Sequence, residues 1–171
     1  MTNALGHSYS YRYDAIGQRI AVTDPIGRMS RTKYDAAGNI TAHIDASGIR
    51  TIALTYDNRD LLTRAEDAYG HVVTLAYDAV GRQVSVADPR GRTTTFHYDK
   101  IDRPTGVTDP LGRRSLATYK TDDVLAKLDA PGAAPIDFKY DSANHVTSTE
   151  HVNGDETRYR FNADDQLTYL S

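Results

Sequence analysis

Tyr-Asp pairs begin at Tyr13, Tyr34, Tyr56, Tyr77, Tyr98 and Tyr140, and Tyr119-Lys120 and Phe161-Asn162 stand where two further copies fall. Successive separations are 21, 22, 21, 21, 21, 21 and 21 residues. A fixed period of this length, sustained from one end to the other, restricts the chain to an array of like supersecondary units, each stabilised by its neighbours. The repeat organises residues 1–171 as one domain, with a lead-in over 1–12 and an incomplete last copy over 161–171.

Two turns recur inside each unit. Four residues after the aromatic stand Gly17, Gly38, Asp60, Gly81, Asp102, Asp123, Asn144 and Asp165. All are residue types that tolerate a left-handed backbone. Fourteen residues after the aromatic stand Gly27, Gly48, Gly70, Gly91 and Gly112, then Ala133 with Gly132 beside it, then Gly154. Three of these turns read Asp24-Pro25-x-Gly27, Asp88-Pro89-x-Gly91 and Asp109-Pro110-x-Gly112. Proline pre-sets the turn, the aspartate side chain closes it, and glycine supplies the positive dihedral.

Between turns the polarity alternates. Tyr11, Thr32, Leu54, Leu75, Phe96, Ala117, Phe138 and Tyr159 precede the anchor by two residues, and Arg12, Lys33, Thr55, Ala76, His97, Thr118, Lys139 and Arg160 precede it by one. Val22, Val86, Val107, Leu128 and Leu170 share the position nine after it. Period two with one apolar face predicts half-buried strands, and no 3.6-residue pattern competes. The expected fold is all-β: antiparallel hairpin repeats of about 21 residues in a ribbon that curls, because wide sheets twist.

Composition agrees with thin β-structure: 39% apolar residues, 12 Tyr against 3 Phe, no Trp and no Cys. At 171 residues the chain is long enough for an ordinary domain with a sizeable core. Without cysteine there are no disulfides and no thiolate metal sites. A net charge of -3 gives no electrostatic support to nucleic-acid binding. "MTNALGHSYS" lacks the basic and apolar segments of a signal peptide, and no run is apolar enough for a membrane helix.

"YDAIGQRI", "YDAAGNIT" and "YDAVGRQV", joined by "DPIGR", "DPRGR" and "DPLGR", resemble the YD repeats of the Rhs family, which also occur in the C components of Tc toxins and in teneurins. The resemblance covers essentially the whole chain; the units after Lys120 ("YKTDDVL", "YDSANHV", "FNADDQL") are looser and lack the central glycine. It implies a β-ribbon that spirals into a hollow shell around a toxic C-terminal segment, exported or cell-surface by way of a bacterial secretion machine. A complete shell needs more repeats than this chain carries, so a fragment of a longer shell or a small orphan member is expected. The implied partners are other YD-repeat segments or a second copy, joined through sheet edges, and an enclosed toxin polypeptide.

The functional expectation is a structural, non-catalytic scaffold. The repeat-motif residues Tyr13, Asp14, Gly17, Tyr34, Asp35, Gly38, Tyr56, Asp57, Tyr77, Asp78, Gly81, Tyr98, Asp99, Tyr140 and Asp141 are then structural. So are Asp24, Pro25, Gly27, Asp88, Pro89, Gly91, Asp109, Pro110 and Gly112 in the second turn. One alternative is a carbohydrate- or receptor-binding module, with the tyrosines stacking glycans; repetition in every unit favours scaffold, since sites are local. Another is self-cleavage. "PTGVTDPLG" resembles the Pro-x4-Asp-Pro-x-Gly motif that ends Rhs cores, which would make Asp109 the assisting acid. Yet Asp24, Asp88 and Asp109 all lie eleven residues after their Tyr, and the repeat continues past Asp109, so a turn role is favoured. The histidines His7, His43, His71, His97, His145 and His151 show no metal-ligand spacing, and neither metal nor cofactor is expected. Arg28, Arg82, Arg92 and Arg113 follow the turns; they could pair with turn aspartates of neighbouring units like rungs, and are read as solubility and edge protection rather than as a polyanion site.

Overall fold

The computed structural model describes residues 8–151, 154–162, 164 and 166–170. His7, Asp165 and the first seven residues of the lead-in lie outside them. Two compact units divide the chain, Met1–Thr93 and Thr94–Ser171. The first contains β1 (Ser10–Tyr13), β2 (Arg19–Thr23), β3 (Met29–Tyr34), β4 (Ile40–Ile44), β5 (Arg50–Tyr56), β6 (Leu62–Asp67), β7 (Val72–Tyr77) and β8 (Gln83–Ala87). The second contains β9 (Thr93–Tyr98), which starts on the boundary, β10 (Pro104–Thr108), β11 (Arg114–Tyr119), β12 (Leu125–Asp129), β13 (Ile136–Tyr140), β14 (Val146–His151), β15 (Glu156–Phe161) and β16 (Leu167–Leu170). Within each unit strand order follows chain order, and neighbours pair antiparallel. Among the described residues there is no helix. The fold is the all-β hairpin repeat that the alternation predicts.

A β-bulge stands at the same place in every repeat. Tyr13 faces Arg19 while Arg12 faces Ala21, which leaves Ile20 as an extra residue on the return strand. Thr41, Thr63, Val84, Thr105, Ala126, Thr147 and Thr168 are the corresponding extra residues of the other repeats. A bulge bends its strand and raises the local right-handed twist, so each repeat carries the same twisting element. The hydroxyls of Thr63 and Thr168 donate to the carbonyls of Thr55 and Arg160, which ties two of the bulges to the strand before them. The single 22-residue spacing has its own explanation. His43 faces Ile52 and Ile44 faces Arg50, so Thr51 is a second bulge that absorbs the surplus residue without moving the register on either side.

The core differs from the expectation. Among the described side chains the buried apolar ones are Ala21 and Ala42, at 5% and 7% exposure, and Ser148 is the buried polar one at 4%. A single layer of hairpins has no second layer to close an interior against, whatever the chain length. The register shows why those residues are buried. Ala21 lies between Arg12 and Arg31, Ala42 between Lys33 and Ala53, and Ser148 between Lys139 and Arg158. These small residues lie on the charged face, among long polar stems that can cover them. Gly106 continues the series between His97 and Leu116; a β-carbon there would lie 2.8 Å from the Ser115 carbonyl oxygen.

Candidate functional site

Both turns of the repeat share one construction. In the Asp24 turn the Gly27 N–H donates to the Asp24 carbonyl, the Asp24 N–H donates to the Arg28 carbonyl, and Gly27 has φ +88°. That is a type I turn followed by a left-handed residue, a common hairpin solution. The Tyr-Asp turns repeat it at Asp14, Asp35, Asp57, Asp78, Asp99 and Asp141. Their fourth residues, Gly17, Gly38, Asp60, Gly81, Asp102 and Asn144, all have positive φ, as does Asp123 after Lys120. The turn at Ala130 departs from this: Gly132, not Ala133, has φ +79°, and the Ala133 N–H donates to the Ala130 carbonyl. Pro131 followed by a left-handed glycine is the type II arrangement, and it shifts that glycine one place forward.

Where the first residue of a turn is aspartate, it acts through its side chain. Asp24 Oδ1 accepts the backbone N–H groups of Ile26 and Arg28, and Asp24 Oδ2 accepts from Arg28 Nε at 2.6 Å. Asp78, Asp88, Asp99 and Asp109 hold Arg82, Arg92, Arg103 and Arg113 in the same way. Arg28, Arg82, Arg92 and Arg113 thus each bond the carboxylate of their own turn, because the residue four places on faces it. Asn39, His71 and His145 take the arginine's place against Asp35, Asp67 and Asp141. Partial desolvation pushes the carboxylates of Asp24, Asp78, Asp99 and Asp109 upward. The guanidinium and two backbone N–H groups outweigh it and leave all four below the usual carboxylate range. In Asp88 the Arg92 side chain is the leading cause of the same downward shift. Asp109, the candidate acid, thus has the bonding of Asp24 and Asp88.

The anchor tyrosines do something that the sequence does not reveal. Tyr34, Tyr56, Tyr77, Tyr119 and Tyr140 donate their hydroxyls to the carbonyls of Arg19, Ile40, Leu62, Pro104 and Leu125, at 2.7 to 3.1 Å. Each acceptor is the first residue of the return strand of the preceding repeat. The ladder between β2 and β3 stops at Ala21–Arg31, short of Arg19. The hydroxyl closes the frayed end of that pair. A spacing of 15 or 16 residues to an unremarkable carbonyl leaves no mark in the residue types.

Register separates two faces. In the first unit one face carries Tyr11–Val22, Thr32–His43, Leu54–Ala65 and Leu75–Val86; in the second unit one face carries Phe96–Val107, Ala117–Leu128 and Phe138–Thr149. Strand centres on these faces carry no carboxylate, lysine or arginine among these pairs, and their side chains are half-buried or, for Tyr11, Val107 and Leu128, 37–38% exposed. Where Ala117 replaces a larger residue, Pro104, Val107, Leu125 and Leu128 border a shallow apolar hollow. The opposite faces carry the ion pairs Arg64–Glu66, Arg50–Glu66, Lys139–Glu150 and Arg158–Glu156. Among the described residues no three metal-ligating side chains gather.

The RHS repeat model matches residues 13–51, 34–72 and 77–114, together more than half of the chain. The chain belongs to the RHS repeat family. Among curated proteins no relative matches. Among solved structures, the RHS repeats here are similar to a chain of the Photorhabdus luminescens Tc holotoxin pore with a mutated TccC3, at 16% identity and a TM-score of 0.72 over 96% of this chain. They are similar also to TcdB2-TccC3, at 15% identity and a TM-score of 0.74 over 95% of this chain, and to TcdB2-TccC3-Cdc42, at 16% and 0.73 over 96%. At these identities the likeness concerns the fold. The chain spans 10% of the length of each of those chains. As an RHS repeat array it is a structural scaffold.

Proposed function

We propose that this RHS repeat array is a wall segment of a toxin shell, and that its uncharged face lines the space in which a polypeptide cargo is held. The observation that carries the reading is the segregation of charge within each unit: ion pairs on one face, and strand centres without carboxylate, lysine or arginine on the other. A half-exposed apolar sheet face costs free energy in water unless something covers it. A neutral lining contacts an unfolded chain of any charge without selecting for sequence. The similarity to chains of Tc toxin structures supports the reading, and export through a secretion machine belongs to it. The reading takes residues 1–171 as one repeat domain and gives Asp109 and the other motif residues structural roles only. The hydroxyls of five anchor tyrosines are already engaged with backbone, which argues against a glycan-stacking role for them.

The test is binding of a permanently unfolded polypeptide, such as a reduced and alkylated small protein, followed by fluorescence anisotropy. Val107→Asp with Leu128→Asp, on the neutral face, is expected to weaken binding at least tenfold. Thr74→Asp, on the opposite face, is expected to leave it unchanged. Equal effects from both faces, or no binding by the parent chain, sink the reading.

A further inference from the structure

The fourth residue of a Tyr-Asp turn is glycine in some repeats and aspartate in others, and aspartate at positive φ is strained where glycine is not. The structure gives a reason for the choice. In four successions the residue that follows the left-handed position, the fifth of its turn, lies over the fourth residue of the next Tyr-Asp turn. Asn39 Nδ2 donates to Asp60 Oδ1 at 2.7 Å, and Asp60 has φ +61°. Arg103, held by Asp99 through Nε, donates from Nη1 to Asp123 Oδ1 at 2.7 Å, and Asp123 has φ +66°. Where the next fourth residue is glycine, the fifth residue packs on it instead. A β-carbon at Gly38 would lie 3.0 Å from Gln18 Nε2, and one at Gly81 would lie 3.7 Å from Leu61 Cδ1. In these four successions an aspartate sits under a hydrogen-bond donor that reaches its carboxylate, and a glycine sits under a side chain that packs on it. Val124, which has nothing to donate, precedes Asn144, a residue type that enters the left-handed region unaided.

We propose that these cross-turn pairs are a neighbour code: the fifth residue of one Tyr-Asp turn selects the fourth residue of the next, so that a repeat accepts some successors and rejects others. The partner it recognises is another RHS repeat with the matching turn residue. Asn39 and Arg103 each offer a donor that an aspartate accepts, whereas Leu61 has nothing to donate and leaves an aspartate at the strained position without that bond. The contact always runs forward along the chain, from one repeat to its successor. It therefore fixes order as well as register, which the common hydrogen-bond ladder cannot do, since every repeat presents the same backbone.

Two reciprocal thermodynamic cycles on the full chain test the code. N39L with D60G turns the first pair into the type found at Leu61 and Gly81; L61N with G81D does the reverse. N39L alone and G81D alone are each expected to raise the unfolding constant about fivefold, the worth of one lost or mismatched contact. Each double variant is expected to return to within about twofold of the parent, so that the paired changes are coupled rather than independent. Single effects that simply multiply in both cycles overturn the proposal. If any of these variants fails to fold, N39D decides: a carboxylate facing Asp60 is expected to speed exchange of the Asp60 amide hydrogen at least fivefold and to leave the Gly17 amide unchanged. Unaltered exchange at Asp60 overturns the code.

Discussion

Removing the anchor hydroxyls one by one and then together tests the strap that they form. In Tyr77→Phe the ring stays and only the hydroxyl bond to the Leu62 carbonyl, 2.9 Å long, is lost. The freed carbonyl lies where the β6–β7 ladder has already ended at Arg64–Thr74, so water can reach it and no full desolvation penalty follows. The loss is then the net worth of an ordinary hydrogen bond, about 1 kcal/mol. Tyr77→Ala also strips a half-buried ring from the sheet, and the cost rises to about 3 kcal/mol. The five tyrosines sit in separate repeats and act on separate carbonyls, so their losses should add. Phenylalanine at Tyr34, Tyr56, Tyr77, Tyr119 and Tyr140 together is expected to cost about 5 kcal/mol, comparable with the whole stability of a small domain. Guanidinium titrations followed by circular dichroism measure each step. A fivefold variant within about 1 kcal/mol of the parent refutes the strap, as does Tyr77→Phe costing as much as Tyr77→Ala.

Three further outcomes follow from the turns and bulges. The lowered carboxylates of Asp24, Asp35, Asp57, Asp67, Asp78, Asp88, Asp99, Asp109 and Asp141 favour the folded state when ionised. Their contribution is complete above the unfolded aspartate value of about 4 and is lost as pH falls below it through the lower folded values; denaturant midpoints should hold steady from pH 7 to about 5 and then drop, and a flat profile down to pH 2 contradicts this. Deleting Thr51 removes a bulge and restores the common spacing, so the chain should fold with stability changed by less than about 1 kcal/mol, whereas deleting Val73 reverses the faces of β7 and should abolish cooperative unfolding of its unit. Gly106→Ala must displace the Ser115 carbonyl and is expected to cost about 2 kcal/mol or more, against about 1 kcal/mol for Gly27→Ala, which meets no neighbour and is strained by its φ alone.

The period, the two turns and the polarity of the strands were legible because each leaves a residue-type signature. Left-handed positions admit few residues, so Gly17, Asp60 and Asn144 stand out at one offset. The bulge does not announce itself. Ile20, Thr41, Val84 and Ala126 are ordinary strand residues, because an extra residue near the right-handed region needs no glycine. A shift in pairing parity between the Tyr and the residue before it was the one available clue. The partners of the arginines are hidden for a related reason. Linear spacing does not show that the turn brings its fifth residue back over its first, where Asp24 holds Arg28. Asn39, Arg59 and Arg103 are among the residues that do cross from turn to turn.

Strictly sequential pairing also decides how such a chain yields to tension. Within each unit a strand is held only by the strands before and after it in the chain. Pulling on the two ends loads the hydrogen bonds of one hairpin at a time, as in opening a zip, and never shears a whole row at once. Each hairpin that opens gives up its tyrosine and turn bonds to the next along with its ladder, so the array yields one repeat at a time. An array paired in this way feeds out as a thread when drawn from an end.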